Sequence, residues 1–219
     1  MWFSETLVML RKEFVLEWRQ KFAISGILLY LVSTVFVSYL AFEGVIPANT
    51  WNALFWLIML FAAVNAILKS FIQEHEARQL YYYTLSGARG VINAKIIYNA
   101  LLMAALGLAG FWVFAGFMGN PVGSSGLFLV NLLLGMLGFS SVLTLISAIA
   151  SRARNNFTLM AVLGFPLVLP LLLLLIRNSS AALSGAGMAA SVPDLLILVL
   201  LIFIALSLSN LLFPYIWKE

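Results

Sequence analysis

Residues 132–175 read LLLGMLGFSSVLTLISAIASRARNNFTLMAVLGFPLVLPLLLLL, and they give the clearest indication of the fold. It contains most of two long apolar runs, and a short basic turn around Arg152 and Arg154 separates them. A helix of about 20 residues can cross the ~30 Å hydrocarbon core of a bilayer. Because the runs lack the two-residue alternation of barrel strands, the stretch predicts two membrane-spanning helices joined by a short turn.

The same pattern recurs along the whole chain. Six apolar runs are predicted to span the membrane, at about residues 22–42, 51–72, 95–118, 127–150, 157–176 and 192–213. Apolar residues make up 63% of the chain and charged residues 9%, whereas soluble domains carry about 25% charged residues. We therefore predict an all-α integral membrane protein with one transmembrane domain over residues 1–219. The absence of cysteine excludes disulfides and thiolate metal sites within the chain.

The basic residues fall on alternate connections between these runs. Eleven of the twelve Lys and Arg residues lie near the two termini or between spans two and three or four and five, and only Arg177 lies on the other side. The positive-inside rule then predicts that both termini are cytoplasmic. A basic rim facing anionic lipid accounts for the net charge of +4, so no nucleic-acid partner is expected.

Residues 1–21 form an amphipathic segment ahead of the first span. Phe3, Leu7, Leu10, Phe14 and Trp18 recur at steps of three and four, which predicts one apolar face of a helix. Such a helix is expected to lie in the cytoplasmic interface. The alternative is that this segment extends the first span into the cytoplasm.

Aromatic and small residues have distinct expected roles. Aromatic residues near the predicted span ends are expected to anchor the interfaces: Trp2, Trp18, Trp51, Tyr215 and Trp217. Glycines in the third and fourth spans are expected to let helices approach closely: Gly107, Gly110, Gly116, Gly135 and Gly138.

The connection between spans two and three carries an unusual surface. It reads FIQEHEARQLYYYTLSGARGVINAK from Phe71 to Lys95. Glu74 and Arg78 can pair at i, i+4, and a dense aromatic and aliphatic patch follows. A cytoplasmic loop with so much apolar surface favours a short helix docked into a partner's groove. Packing against the protein's own helices or the bilayer is the alternative.

The fifth span contains Gly164 and two prolines, Pro166 and Pro170, at i, i+4. Each proline removes a backbone donor and crowds the preceding turn, so a bend is predicted here. The sequence alone supports a tolerated kink and a discontinuity used for movement equally.

Polar chemistry inside the spans is sparse. Asn65, Asn99 and Asn131 are predicted to form interhelical hydrogen bonds rather than to bind a ligand. The lack of charge near the span centres argues against an ion-coupled carrier. The lone His75 lies between Glu74 and Glu76, and HExxH, GxSxG and Walker A motifs are absent. We therefore expect no metal site, no catalysis and no ATP binding by this chain.

On these residues the chain resembles the haem exporter B family (CcmB), the membrane permease of an ABC-type cytochrome c maturation system. The glycine-rich fourth span, basic turn and double-proline fifth span in residues 132–175 carry the resemblance most specifically. The opening RKEFVLEWRQK and the loop from FIQEHEARQL to INAK are also similar to family members. Family members often have a slightly longer acidic loop with a glycine where this chain reads EHEARQLYYY.

The resemblance implies a type-2 ABC exporter permease of the bacterial inner membrane. Two copies would pair with two copies of an ATPase subunit that binds ATP, with other haem-handling membrane proteins and a periplasmic haem chaperone as further partners. Haem would be the transported substrate, or ATP hydrolysis would release the haem-loaded chaperone. Residues 73–90 would be the coupling segment, with ATPase-coupling residues Glu74, Glu76, Arg78, Leu80, Tyr81, Tyr82 and Tyr83. The helix over 1–21 would be the interfacial elbow helix.

Two other functions are consistent with the same apolar spans and charge distribution. One is an ABC-2 permease that exports a lipid, glycan or drug, which only the family resemblance separates from a haem exporter. The other is a stand-alone membrane scaffold or carrier with no ATPase.

Overall fold

The computed structural model describes residues 2–19, 21–44, 46–72, 88–150 and 156–218. These residues form seven helices and no strand: α1 (Trp2–Arg19), α2 (Lys21–Phe42), α3 (Ala48–Ile72), α4 (Ala88–Met118), α5 (Ser125–Ala150), α6 (Asn156–Leu183) and α7 (Met188–Lys218). Helices α2 to α7 are each long and apolar enough to cross a membrane. The predicted all-α membrane fold with six spans is therefore confirmed.

Several helices run past the predicted spans. Helix α4 begins at Ala88, seven residues before Lys95, and α6 continues to Leu183. A helix does not have to end where the hydrocarbon ends, because the interfacial zone also accommodates helical backbone. Lys95 therefore lies inside α4, about 10 Å from its first residue at 1.5 Å per residue.

The connections 43–47, 119–124 and 184–187 lie at one end of the bundle, which we call the short-loop end. There the indole Nε1 of Trp51 donates to the carbonyl of Gly119 at 3.0 Å, and the amide of Ser124 donates to the carbonyl of Ala182 at 2.8 Å. A Cβ on Gly123 would lie 2.9 Å from the Cα of Gly185, so two of these loops touch through their backbones. We call the opposite end, which carries α1, the termini end.

Helix α5 occupies the centre of the bundle and contacts α3, α4, α6 and α7. In the membrane-spanning stretch of α5, 78% of the residues are buried inside the protein, compared with 17% in those of α2 and α7. Small residues make this position possible, because a Cβ on Gly138 would lie only 2.7 Å from the Leu171 side chain on α6. The outer helices α2 and α7 leave most of their apolar surface for lipid.

Trp51 is not an interfacial anchor, which corrects that prediction. It is fully buried, and its ring contacts those of Phe55, Phe111, Phe114 and Phe128. Helix α3 begins three residues before Trp51, and the indole points into the bundle between α3, α4 and α5. Tyr215, by contrast, is exposed near the end of α7.

Candidate functional site

The predicted functional residues divide into two groups. The ATPase-coupling residues from Glu74 to Tyr83 lie outside the described residues. Gly164, Pro166 and Pro170 lie within α6, which is helical from Asn156 to Leu183. Both prolines are exposed, and Gly164 is buried. A Cβ on Gly164 would meet only Ile146, at an ordinary 3.6 Å, so close packing does not by itself require glycine there.

A buried ion pair joins α1 to α4 at the termini end. The ammonium Nζ of Lys95 lies 3.6 Å from Oε1 of Glu13, and Lys12 Nζ lies 3.2 Å from the same oxygen. Lys95 is 1% exposed and Glu13 8%. Buried charges are stable only when they are paired and hydrogen-bonded, so this pair fixes where α1 lies on α4.

An apolar cluster surrounds this ion pair. It draws residues from α1, α4, α5 and α7: Met9, Val91, Ile92, Ala94, Ile96, Ala148 and Phe213. The Phe14 ring also packs edge-on against Tyr98 with centroids 5.3 Å apart. We call the ion pair and its apolar cluster the termini-end joint. The joint therefore includes the first turns of α4, which follow residues 73–87 in the sequence.

The joint also modifies the predicted amphipathic face of α1. Met9 and Glu13 are buried against the bundle, whereas Phe14 remains about half exposed. The predicted face counted apolar residues alone, and Glu13 is buried because its charge meets Lys95. Val8 and Val15 are exposed on the opposite side of α1, where an interfacial helix would contact lipid.

A groove of about 530 Å³ lies beside the joint. Its walls come from α1, α4 and α7: Thr6, Leu10, Asn93, Ile96, Ile97, Leu206 and Asn210. None of these side chains is a usual ligand of haem iron. In the part of the chain that the structure describes, no three His, Cys, Asp or Glu side chains are grouped as a metal ion would require.

A buried polar network lies in the half of the bundle nearest the short-loop end. Asn52 Nδ2 donates to the carbonyl of Ile176 at 2.8 Å, and Trp56 Nε1 donates to Oγ of Ser179 at 2.8 Å. Asn131 Nδ2 donates to Ser179 Oγ at 2.8 Å and to the carbonyl of Leu175 at 2.9 Å. Side chains of α3 and α5 therefore hold the last two turns of α6.

The glycine at position 135 makes room for this network. A Cβ there would lie 2.7 Å from Cη2 of Trp56 and 2.8 Å from Cδ2 of Leu175. The indole of Trp56 therefore sits directly on the backbone of α5, where its Nε1 reaches Ser179. A larger residue at 135 would push the indole away from α6.

The asparagine predictions have mixed outcomes. Asn131 bonds across to α6, and Asn99 Nδ2 donates to Thr144 Oγ1 on α5 at 2.9 Å, so both interhelical predictions are confirmed. The prediction for Asn65 is wrong, because its Nδ2 donates to the carbonyl of Phe61 one turn earlier in α3. Asn65 is exposed, and none of the described helices packs over its side chain.

The ion pair and most of the polar network were missed from sequence. Lys95 is the first residue of a predicted span, and only the register of α1 against α4 brings Glu13 to it. Asn52 and Ser179 lie close to the ends of predicted spans, where a polar residue has no special meaning. The glycine at position 135 is the available signal, because it lets the Trp56 indole lie against α5 and reach Ser179 on α6.

A comparison with known families matches nearly the whole chain. A family model described as "CcmB protein" matches residues 4–215. That range includes every described helix in whole or in part, together with residues 73–90. No curated protein matches the chain.

Proposed function

Since the chain belongs to the CcmB family, we propose that it is the transmembrane permease subunit of an ABC transporter complex in c-type cytochrome biogenesis. The complex would serve haem export or the release of a haem-loaded chaperone. The match over residues 4–215 carries this proposal, because it covers the six spans and the connections that a permease needs. The family contributes the permease component for cytochrome c maturation, and catalysis would belong to another subunit.

The proposed partners follow from what the chain lacks and from its family. ATP would bind to a separate ATPase subunit, because this sequence has no Walker A motif. A second copy of the chain, other haem-handling membrane proteins and a periplasmic haem chaperone would complete the assembly. The complex would lie in the bacterial inner membrane with both termini in the cytoplasm, which the one-sided distribution of Lys and Arg supports.

The proposed motion starts at the coupling segment. Closure of the ATPase would displace residues 73–90, and α4 begins within that range at Ala88. The ion pair between Glu13 and Lys95 would make α1 move with the first turns of α4. Pro166 and Pro170 would allow α6 to bend, because each lacks the backbone N–H that would donate to the carbonyl four residues earlier.

Deletion of the gene tests the function most simply. We expect the deletion strain to lose haem-bound c-type cytochromes, while apocytochrome still reaches the periplasm and other haem proteins stay loaded. Haem staining of membrane proteins after electrophoresis measures this loss, and a plasmid copy should restore the stain. A deletion strain with intact c-type cytochromes would instead support an ABC-2 permease for a lipid, glycan or drug.

Substitution of the aromatic patch tests the coupling segment. Changing Leu80, Tyr81 and Tyr83 to alanine should weaken ATPase docking more than tenfold, as loss of a buried aromatic anchor does at interfaces. ATP hydrolysis by the purified complex and recovery of the ATPase subunit with the tagged permease are the measurements.

The matched control removes equally large side chains from a lipid-facing surface. Leu196, Leu200 and Phe203 are all exposed on α7, and their alanine variant should keep both ATPase recovery and ATP hydrolysis. If the loop variant behaves like this control, residues 80–83 do not dock the ATPase.

A further inference from the structure

Asn178 is the least satisfied polar side chain among the described residues. It lies on the buried face of α6 and is 1% exposed. Neither its Oδ1 nor its Nδ2 has a hydrogen-bond partner in the described part of the chain. A buried amide without partners costs free energy that an apolar side chain of similar size would avoid. The observed arrangement of α6 therefore carries a local free-energy cost at Asn178.

The neighbouring asparagines share this feature in part. Asn52 and Asn131 each use Nδ2 to hold α6, while each Oδ1 is buried without a partner among the described residues. The donated bonds reach only Leu175, Ile176 and Ser179, within two turns of Asn178. One short segment of α6 therefore accepts all of these interhelical bonds and also carries the unsatisfied amide of Asn178.

The segment of α6 that accepts these bonds lies between two prolines and a short loop. Pro166 and Pro170 precede it, and each removes a backbone hydrogen bond of the helix. Beyond it, the carbonyl of Ala182 accepts from Ser124, and the loop then turns at Gly185 with a φ of +77°. The segment from Leu171 to Leu183 therefore lies between a stretch of interrupted backbone hydrogen bonding and a short loop, so a tilt of this segment would pivot at the proline turn.

We propose that the network of Asn52, Trp56, Asn131 and Ser179 is a latch that closes the short-loop end of the bundle. When the latch opens, the buried face of α6 meets water, and Asn178 gains the hydrogen bonds that it lacks when closed. Asn178 thus lowers the free energy of the open state relative to the closed state. This role rests on the proposed function only in that a permease needs an open state, and its test requires neither haem nor ATPase.

Thermal unfolding of two variants tests the proposed latch, because their Tm values are expected to change in opposite directions. Asn178→Leu removes the unsatisfied amide at similar volume, so it should raise Tm by roughly 2–4 °C. Ser179→Ala removes the acceptor for Trp56 and Asn131 together, so it should lower Tm by a similar amount. Asn178→Ala serves if the leucine variant does not accumulate, and it should lower Tm less than Ser179→Ala does.

Opening itself is measured by thiol labelling, which the natural absence of cysteine makes clean. Ala182 is fully buried on the same face as Asn178, so Ala182→Cys should react with a water-soluble maleimide only when the latch opens. We expect Asn178→Leu to slow this labelling several-fold and Ser179→Ala to accelerate it several-fold. Ser180→Cys, at an exposed position, should label at one fast rate in every background.

The results separate the latch from other accounts of Asn178. A lower Tm for both Asn178 variants than for the unaltered protein would mean that the amide is satisfied in the closed state, and this would overturn the proposal. A higher Tm with unchanged labelling of Ala182→Cys would also overturn it, because the cost at Asn178 would then be unconnected to opening. Loss of cytochrome maturation in a deletion strain bears on the proposed function and leaves this test unaffected.

Discussion

Glu13→Leu is expected to destabilise the protein by about 3–5 kcal/mol, because it removes a carboxylate oxygen that lies 3.6 Å from the buried Lys95 ammonium. Lys95 is almost completely inaccessible, at 1% exposure, so water cannot replace that carboxylate. Lys95→Met should cost less, since Lys12 remains 3.2 Å from the Glu13 carboxylate. Unfolding of the detergent-solubilised protein by heat or by a denaturing detergent measures both effects.

The double variant Glu13→Leu/Lys95→Met distinguishes a coupled pair from two independent contacts. Removing both charges should restore most of the lost stability, as replacement of buried ion pairs by apolar residues does elsewhere. Arg177→Gln is the control. Arg177 forms an ion pair with Asp194, and its side chain is 75% exposed, so this ion pair should contribute less than about 1 kcal/mol to stability. Simple addition of the two single losses in the double variant would mean that no ion pair fixes α1 on α4.

Gly135→Ala is expected to have the second large effect. The added methyl group would lie within 2.7 Å of the Trp56 ring and 2.8 Å of Leu175, and all three belong to the packed centre of the bundle. Overpacking of this kind costs about 1–3 kcal/mol. Displacement of the indole from Ser179 would add the loss of a buried hydrogen bond, about 1–3 kcal/mol where a donor is left unsatisfied. Thermal unfolding and yield from membranes measure the result.

Gly116→Ala is the matched control for this substitution. Gly116 is also a glycine inside a membrane-spanning helix, but a Cβ there would meet nothing within 4 Å. Alanine should therefore be neutral or stabilising by up to about 1 kcal/mol, the difference in helix propensity. Equal losses at 135 and 116 would mean that the contact with Trp56 does not limit residue size in α5.

Hydropathy predicts the number and approximate position of the spans but not their arrangement. The spanning stretch of α7 has a mean hydropathy of 2.9 and that of α5 has 2.1, yet α5 is central and α7 mostly faces outward. Lipid chains are as apolar as leucine side chains, so a span gains little by burying one apolar face rather than another. The signals that identify α5 are its glycines and hydroxyl residues, which allow close approach and polar contacts.

The sequence predicts a contact between helices only where the residue type alone implies that a partner is needed. Asn99 and Asn131 were expected to bond between helices, because an amide in a span needs a partner, and both do. The ion pair between Glu13 and Lys95 depends on how two distant helices dock, which no local pattern encodes. Asn178 likewise looks like an ordinary residue at a helix end until its burial is known.

We propose that this chain is a permease whose energy comes from ATP hydrolysis on a separate subunit. ATP hydrolysis by the affinity-purified protein tests it directly, measured on the tagged chain alone and on the complex drawn from native membranes. We predict no hydrolysis by the chain alone, and hydrolysis by a complex that contains a nucleotide-binding subunit and stops when that subunit's phosphate-binding lysine is replaced. Hydrolysis by the isolated chain, or recovery from native membranes without any nucleotide-binding subunit, would contradict the claim.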